Sequence, residues 1–321
     1  MTNCGPGDGG TESCCTSLLV TGGTFYRSYD DEGYGWPPLA PDGGPAAESN
    51  PTTVSDFRLD KYLVTVGRFR QFVNALYPDG GAAAADAGLA WVPEAGSGKH
   101  THLNGGKGLA NSGPGGGYET GWVASDDVSI APTSSNLSGD PEDGQTWTPA
   151  VGNQENLPIV WMNWYEAYAF CIWDGGFLPS EAEWAYAAAG GDQQREFPWG
   201  STDPDTQQMP SQYAIYDCDY PTDAACWPAQ TNLAPVGTAY LGAGRWGQLD
   251  LEGEVGVWSL DWYATFVDPC SDCAYLTPTS GRAGRGGDFD DPLDRLLSCE
   301  RWGDTPDDRT ELGGFRCARS P

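Results

Sequence analysis

The chain has 321 residues and a formal net charge of −29, from 16 basic and 45 acidic side chains, with 45 glycines, 25 prolines and 14 tryptophans. That surplus of acid repels phosphate backbones and anionic membrane surfaces, which excludes nucleic acid as a partner and leaves cationic partners and calcium open. With 39% hydrophobic but 12% aromatic residues, the core is expected to rest on aromatic rings within a chain rich in turns.

Ten cysteines suit an oxidising compartment, so a secreted or cell-surface location is expected. The first residues, Met1 to Pro6, show no basic n-region and no apolar h-region, so no signal peptide is read there. No apolar run reaches membrane-spanning length. Residues 1–17 form a small, polar tail holding Cys4, Cys14 and Cys15. Adjacent cysteines rarely bond to each other, so Cys14 and Cys15 are expected to take separate partners.

Leu18-Leu19-Val20 reads as a strand, Gly22-Gly23 as a turn and Thr24-Phe25-Tyr26 as the start of a second strand. Residues 29–55 are loop. Phe57 to Val64 alternates as a strand, and Thr65 caps a helix whose Phe69, Phe72, Val73 and Leu76 share one face. Pro78-Asp79-Gly80 ends it. Residues 79–156 read as a loop-rich insertion within a domain spanning 18–321. The two histidines, His100 and His102, lie in it and are expected to be solvated. Leu157 to Met162 reads as an apolar strand. Asn163 with Glu166, and Ser180 with Glu183, form two capping boxes that open helices closed by Gly175-Gly176 and Gly190-Gly191.

Residues 201–245 are loop, in which Cys218 and Cys226 close a short proline-containing segment. Trp258 to Tyr263 is a strand. Cys270-Ser271-Asp272-Cys273 has CxxC spacing without a second ligand pair, which leaves a local disulfide or bonds to other loops. The final stretch, from Arg285-Gly286-Gly287 to Gly314-Phe315-Arg316-Cys317, is too broken by glycine and Pro306 for one helix. Side-chain hydrogen bonds, ion pairs or disulfides must hold it.

Taken in order, several segments resemble the formylglycine-generating enzyme, or sulfatase-modifying factor, family. These are Thr21-Gly22-Gly23-Thr24-Phe25, Phe57 to Thr65, Leu157 to Trp164, Phe177-Leu178-Pro179-Ser180-Glu181-Ala182-Glu183-Trp184, Phe197-Pro198-Trp199-Gly200, Leu249 to Gly253 with Trp258, and the two ends of the final stretch. The resemblance implies an irregular, loop-rich α+β fold related to C-type lectins. It also implies a disulfide from Cys171 to Cys317. The family's partner for the cysteine matching Cys299 is Ala188 here, so Cys299 is expected to find Cys4, Cys14 or Cys15 instead.

The family's enzymes oxidise a substrate cysteine with O₂, using Cu(I) held by two cysteines between Arg-Gly-Gly-Ser and the next structural cysteine. Here Gly287 precedes Asp288, residues 288–298 hold no cysteine, and the copper positions fall near Asp291 and Asp294. Carboxylates suit hard cations rather than Cu(I), so copper chemistry is expected to be absent. A related branch of the fold uses three histidines for iron, and this chain has two histidines in all. The family's calcium site maps onto Gly253 to Trp258. Asp250, Glu252 and Glu254 could form a structural Ca²⁺ site there, or stand as solvated acids.

The expected function is binding of a protein, peptide or glycan through segment 288–311, with Asp291, Asp294, Arg295, Arg301 and Trp302 as contacts. Asp288, Asp290, Asp291 and Asp294 are expected to be solvated or paired with Arg295 and Arg301. The alternatives are an oxidoreductase acting on protein cysteine with altered metal chemistry, and a structural envelope component.

Overall fold

A computed structural model describes residue 4 and residues 12–29, 49–78, 88–140, 143–207, 210–221, 226 and 231–321. Short strands, four small α-helices and long loops make up the described residues, as the glycine and proline content dictates. Strands β1 (Ser17–Val20) and β4 (Phe57–Asp60) pair antiparallel with Val20 opposite Phe57, and β12 (Ala318–Arg319) adds to the other edge of β4. The two ends of the domain therefore close on one sheet. A second sheet joins β2 (Gly23–Tyr26), β3 (Pro51–Val54) and β7 (Cys270–Ser271). A short ladder joins β5 (Ala110–Asn111) to β8 (Cys273–Ala274).

Helix α1 (Val66–Leu76) begins where the Thr65 hydroxyl accepts the Arg68 N–H, and Phe69, Phe72, Val73 and Leu76 are all buried. A one-turn helix, α2 (Ser134–Ser138), lies in the insertion. Both capping boxes form, at the starts of α3 (Trp164–Trp173) and α4 (Glu181–Ala188). Between α1 and α3 lies an aromatic core in which Phe69, Phe72, Phe170 and Phe315 meet at 5.3 to 6.1 Å between ring centres. Trp122 and Trp147 reach this core from the insertion, so its described part is integral to the packing.

Two expected strands differ. Residues 157–162 make a single bridge, Pro158 to Thr65, because Trp161 adopts a φ of 64° that breaks any ladder. The strand from Phe57 stops at Asp60, where the Asp60 N–H turns to the carbonyl of Cys317.

Four disulfides form: Cys4–Cys14, Cys171–Cys317, Cys218–Cys226 and Cys270–Cys273. The expected separate partners for Cys14 and Cys15 therefore resolve into one bond within the tail and an exposed Cys15. Cys299 stands outside these bonds, contrary to the expected link to the tail. The Cys171–Cys317 bond joins α3 to the chain end across a sequence separation of 146. Substituting Cys171→Ser is expected to cost about 3 kcal/mol in urea unfolding, and non-reducing peptide mapping should return these four pairs. A Cys299 disulfide in that map would refute the pairing.

Candidate functional site

The four-stranded sheet carries the site. Strand β6 (Gly256–Trp262) lies between β9 (Arg282–Arg285) and β11 (Gly313–Gly314), and β10 (Trp302–Asp304) pairs with β9. Trp302 stands opposite Gly284, and Gly313 opposite Gly256. The Trp302 indole lies flat over both Gly256 and Gly284: a Cβ on Gly284 would fall 2.1 Å from the ring, and one on Gly256 2.9 Å. Only glycine admits that ring. Its edge meets buried Trp258 at 4.9 Å.

Beside Trp302 opens a cleft of about 340 Å³. Asp288, Asp291, Glu300 and Asp304 face it, with Arg295 and Arg301 at its sides. The acids are organised by a turn: Asp288 accepts the Asp290 N–H at 2.9 Å, and Asp291 accepts the Asp288 N–H at 3.2 Å. Burial, reinforced by Asp291, lifts the Asp288 carboxyl to about 7. Burial also raises Asp291 and lifts Asp304 to about 6.

Arg301 does not serve these acids. It grips Glu181 at the start of α4 with Nε to Oε1 at 2.6 Å and Nη2 to Oε2 at 2.7 Å, and its Nη1 donates to the Ala264 carbonyl. Arg285 adds a 3.0 Å bond to the same carboxylate. Burial works to raise Glu181, and Arg301 with Arg285 outweighs it and holds the group below the usual range. Half-exposed Arg295 lies 3.9 Å from Glu300. Among the described residues neither arginine forms an ion pair with the 288–294 acids: Arg301 pairs with Glu181 and Arg295 with Glu300, while Asp290 and Asp294 are exposed to solvent. Asp294 is turned away from the cleft into a neighbouring depression with Phe197 and Leu297. Of the two positions near which the resemblance places copper ligands, only Asp291 reaches the cleft. Among the described lining residues there is no thiol, and carboxylate oxygens are poor ligands for Cu(I), so this donor set does not fit that ion.

Asp250, Glu252 and Glu254 are buried, not solvated. Asp250 accepts the Gly237 N–H and Glu254 the Ala234 N–H, each at 2.7 Å. Neither oxygen of Glu252 has a hydrogen-bond partner. Burial lifts Asp250 to about 6 and drives Glu252 and Glu254 well above the carboxylate range. Their carboxylate oxygens are not gathered within 4.8 Å of one another. Among the described residues, one set gathers three potential ligand atoms within 4.8 Å: Cys218, Cys226 and Asp290, with the two sulfurs bonded to each other.

Of the two histidines, His100 departs from the expected solvation. His100 is fully buried, with Nε2 3.0 Å from Glu183 and Nδ1 3.1 Å from Glu119. Burial opposes its charge, but Glu183 and Glu119 prevail and raise it to about 10. The half-buried His102 is lowered by burial. Sequence reasoning missed Glu300, Asp304 and the glycines beneath Trp302. Gly256 carried the available signal, since a residue without a side chain in an otherwise bulky strand marks a close approach.

Comparison with known proteins agrees with this architecture. A model of the sulfatase-modifying factor enzyme 1-like domain matches residues 7–321. The chain belongs to the sulfatase-modifying factor family. It is 32% identical to the formylglycine-generating enzyme of Mus musculus over 190 residues, covering 56% of this chain and 50% of that protein. The Thermomonospora curvata enzyme is 31% identical, covering 54% of this chain and 58% of its own length. The inactive C-alpha-formylglycine-generating enzyme 2 of Mus musculus is also 31% identical, covering 54% and 53%. The chain thus spans about half the length of these relatives. Among solved structures, PvdO from Pseudomonas aeruginosa superposes with a TM-score of 0.58 at 19% identity, covering 97% of this chain and all of that one. Treponema denticola variable protein 1 gives 0.54 at 18%, with 95% of each chain covered. At these identities the two structures speak to the family's fold alone. Among the described residues no helix is long and apolar enough to cross a membrane.

Glu252 yields a prediction. A carboxyl raised in the fold is protonated there while it ionises in the unfolded chain, so stability falls as pH climbs above the unfolded value of about 4.3. Glu252→Gln removes that slope. Urea unfolding should show the variant's lead over the parent growing steadily from pH 5 to pH 8. Equal differences at both pH values would contradict the buried, unpartnered carboxyl.

Proposed function

We propose that this member of the sulfatase-modifying factor family is an exported binding protein. Its cleft beside Trp302 takes the cationic side chain of a lysine or arginine in a peptide, without copper-dependent oxidation of cysteine. The observation that carries this reading is the lining itself. Asp288, Asp291, Glu300 and Asp304 line one cleft beside an indole ring, where the Arg301 guanidinium is bound to Glu181 and Arg295 lies 3.9 Å from Glu300. Carboxylates at the edge of an aromatic face offer a cation both charge pairing and a cation–π surface. Two carboxyls held near 6 and 7 are costly to ionise alone, and a bound cation relieves that cost. The disulfides favour an oxidising compartment.

A second reading, an oxidoreductase with altered metal chemistry, is favoured by one specific arrangement. The Cys218 sulfur lies 3.4 Å from Asp290, three residues after Gly287. Reduction of its bond to Cys226 would present two thiols and a carboxylate to a metal.

Isothermal titration with arginine- and lysine-containing peptides separates the readings. Asp291→Asn is expected to weaken an arginine peptide about tenfold, near 1.4 kcal/mol. Glu300→Gln should weaken it further. Because the Asp288 carboxyl is neutral below its value of about 7, affinity should rise from pH 5.5 to pH 8.5, and a flat profile would remove the carboxylates from recognition. Elemental analysis after dialysis against copper and calcium in turn should find no stoichiometric copper in the oxidised protein. Tight copper together with oxidation of a cysteine-containing peptide would replace the first reading with the second.

A further inference from the structure

Arg282 is placed unlike the other buried arginines. Arg27, Arg68, Arg70 and Arg285 each pair with a carboxylate, and Arg316 donates to four backbone carbonyls. Among the described residues Arg282 has one hydrogen bond, Nη1 to the Leu260 carbonyl at 2.8 Å, and no carboxylate within ion-pair reach. Its side chain is 9% exposed and its Nε is buried without a partner. The guanidinium stacks over the Trp164 ring at 3.5 Å and the Trp262 ring at 3.8 Å. With its faces taken by indoles, what remains to it is its edge, and a guanidinium edge matches a carboxylate with two parallel N–H···O bonds. Burial lowers it to about 9, against the opposing pull of Tyr165, Tyr168, Asp126 and Asp261.

This side chain lines a cavity of about 470 Å³ that is separate from the cleft beside Trp302. The opposite wall comes from the insertion, as Tyr118, Val123 and Asp126. Tyr118 is 43% exposed, and the Lys107 ammonium sits 4.9 Å from its ring centre. Asp126 is half-buried and bonded to the Ser125 hydroxyl, and burial raises its carboxyl. The cavity thus combines an open aromatic face, the Asp126 carboxyl as a hydroxyl acceptor and an arginine that forms no ion pair among the described residues. An aromatic face suits the C–H surface of a saturated ring, while Asp126 suits ring hydroxyls. Its volume falls within the range of small-ligand sites, roughly 300–1,000 Å³.

We propose that this cavity binds a uronic acid residue, with the carboxylate on the Arg282 edge, the sugar ring against Tyr118 and a hydroxyl on Asp126. The site is independent of the acidic cleft beside Trp302, since the two share no lining residue among those described. In a chain of net charge −29, recognition of an anion needs such a local, desolvated cation, because the long-range field repels it.

The test is titration calorimetry of the full chain with D-glucuronate, D-glucose and benzoate. Glucuronate is expected to bind at least tenfold more tightly than either of the others. Arg282→Gln keeps a planar group between the indoles and removes the charge, so it should reduce the glucuronate affinity to that for glucose. Tyr118→Ala, at the exposed rim, should weaken glucuronate about fivefold with the melting temperature unchanged. That variant carries the test if R282Q does not fold. Equal binding of glucose and glucuronate, benzoate binding as tightly as glucuronate, or undiminished glucuronate affinity in Y118A would each overturn the proposal. So would undiminished affinity in a folded R282Q. Loss of arginine-peptide binding in D291N leaves these outcomes untouched, so the two sites fail or stand separately.

Discussion

The first turn of α4 holds two buried glutamates, and most of the site hangs from them. Glu181 is gripped by Arg301 and Arg285, which fixes the strand and turn on either side of the acidic segment. Glu183 receives the Ser180 N–H and hydroxyl and also the ring of His100, which Glu119 holds from its other nitrogen. A helix of eight residues is too short to persist by itself in water. Here its negative first turn is stabilised by the helix dipole and by cations arriving from residues some 80 to 120 positions away in sequence. Charges this deep are costly unless paired, so loss of one partner would strand the other. The insertion through His100 and the C-terminal segment through Arg301 are thus both keyed to one helix end.

That arrangement explains which parts of the fold were legible in the sequence. Capping boxes are local, and Asn163 with Glu166 and Ser180 with Glu183 read directly as helix starts. The apolar face of α1 was equally plain from its spacing. Residues 157–162 misled because an apolar run fits a buried loop as well as a strand, and the backbone at Trp161 decides between them. His100 misled for a different reason. A histidine in a glycine-rich stretch looks solvated until Glu183, 83 positions on, is known to stand beside it.

The site itself was half legible. Segment 288–311 was marked by its composition, and Asp291, Arg295, Arg301 and Trp302 do meet at one cleft. Their roles were not marked. Arg301 is spent on Glu181, Asp294 faces another depression, and Glu300 and Asp304 supply the acid instead. Spacing cannot separate these in a segment with neither the period of a helix nor that of a strand. The chain turns at Gly286 and Gly287, both at positive φ, so facing direction is set residue by residue.

Two departures from ordinary polar pairing remain, and together they show where the fold spends stability. Glu252 lies buried with both oxygens unpartnered and its carboxyl kept neutral by burial, while Arg282 lies buried without an ion pair among the described residues. A protein selected for stability alone would bring such charges together or replace them with apolar groups. Here each is enclosed by packing: Glu252 buried without a hydrogen-bond partner, Arg282 between indole rings. The Arg282 charge, held rigid and dry, binds an oppositely charged partner more strongly than the same charge in water, because its desolvation was met during folding. The acid surplus of the chain as a whole is a matter of solubility. The placement of these few buried groups carries the chemistry.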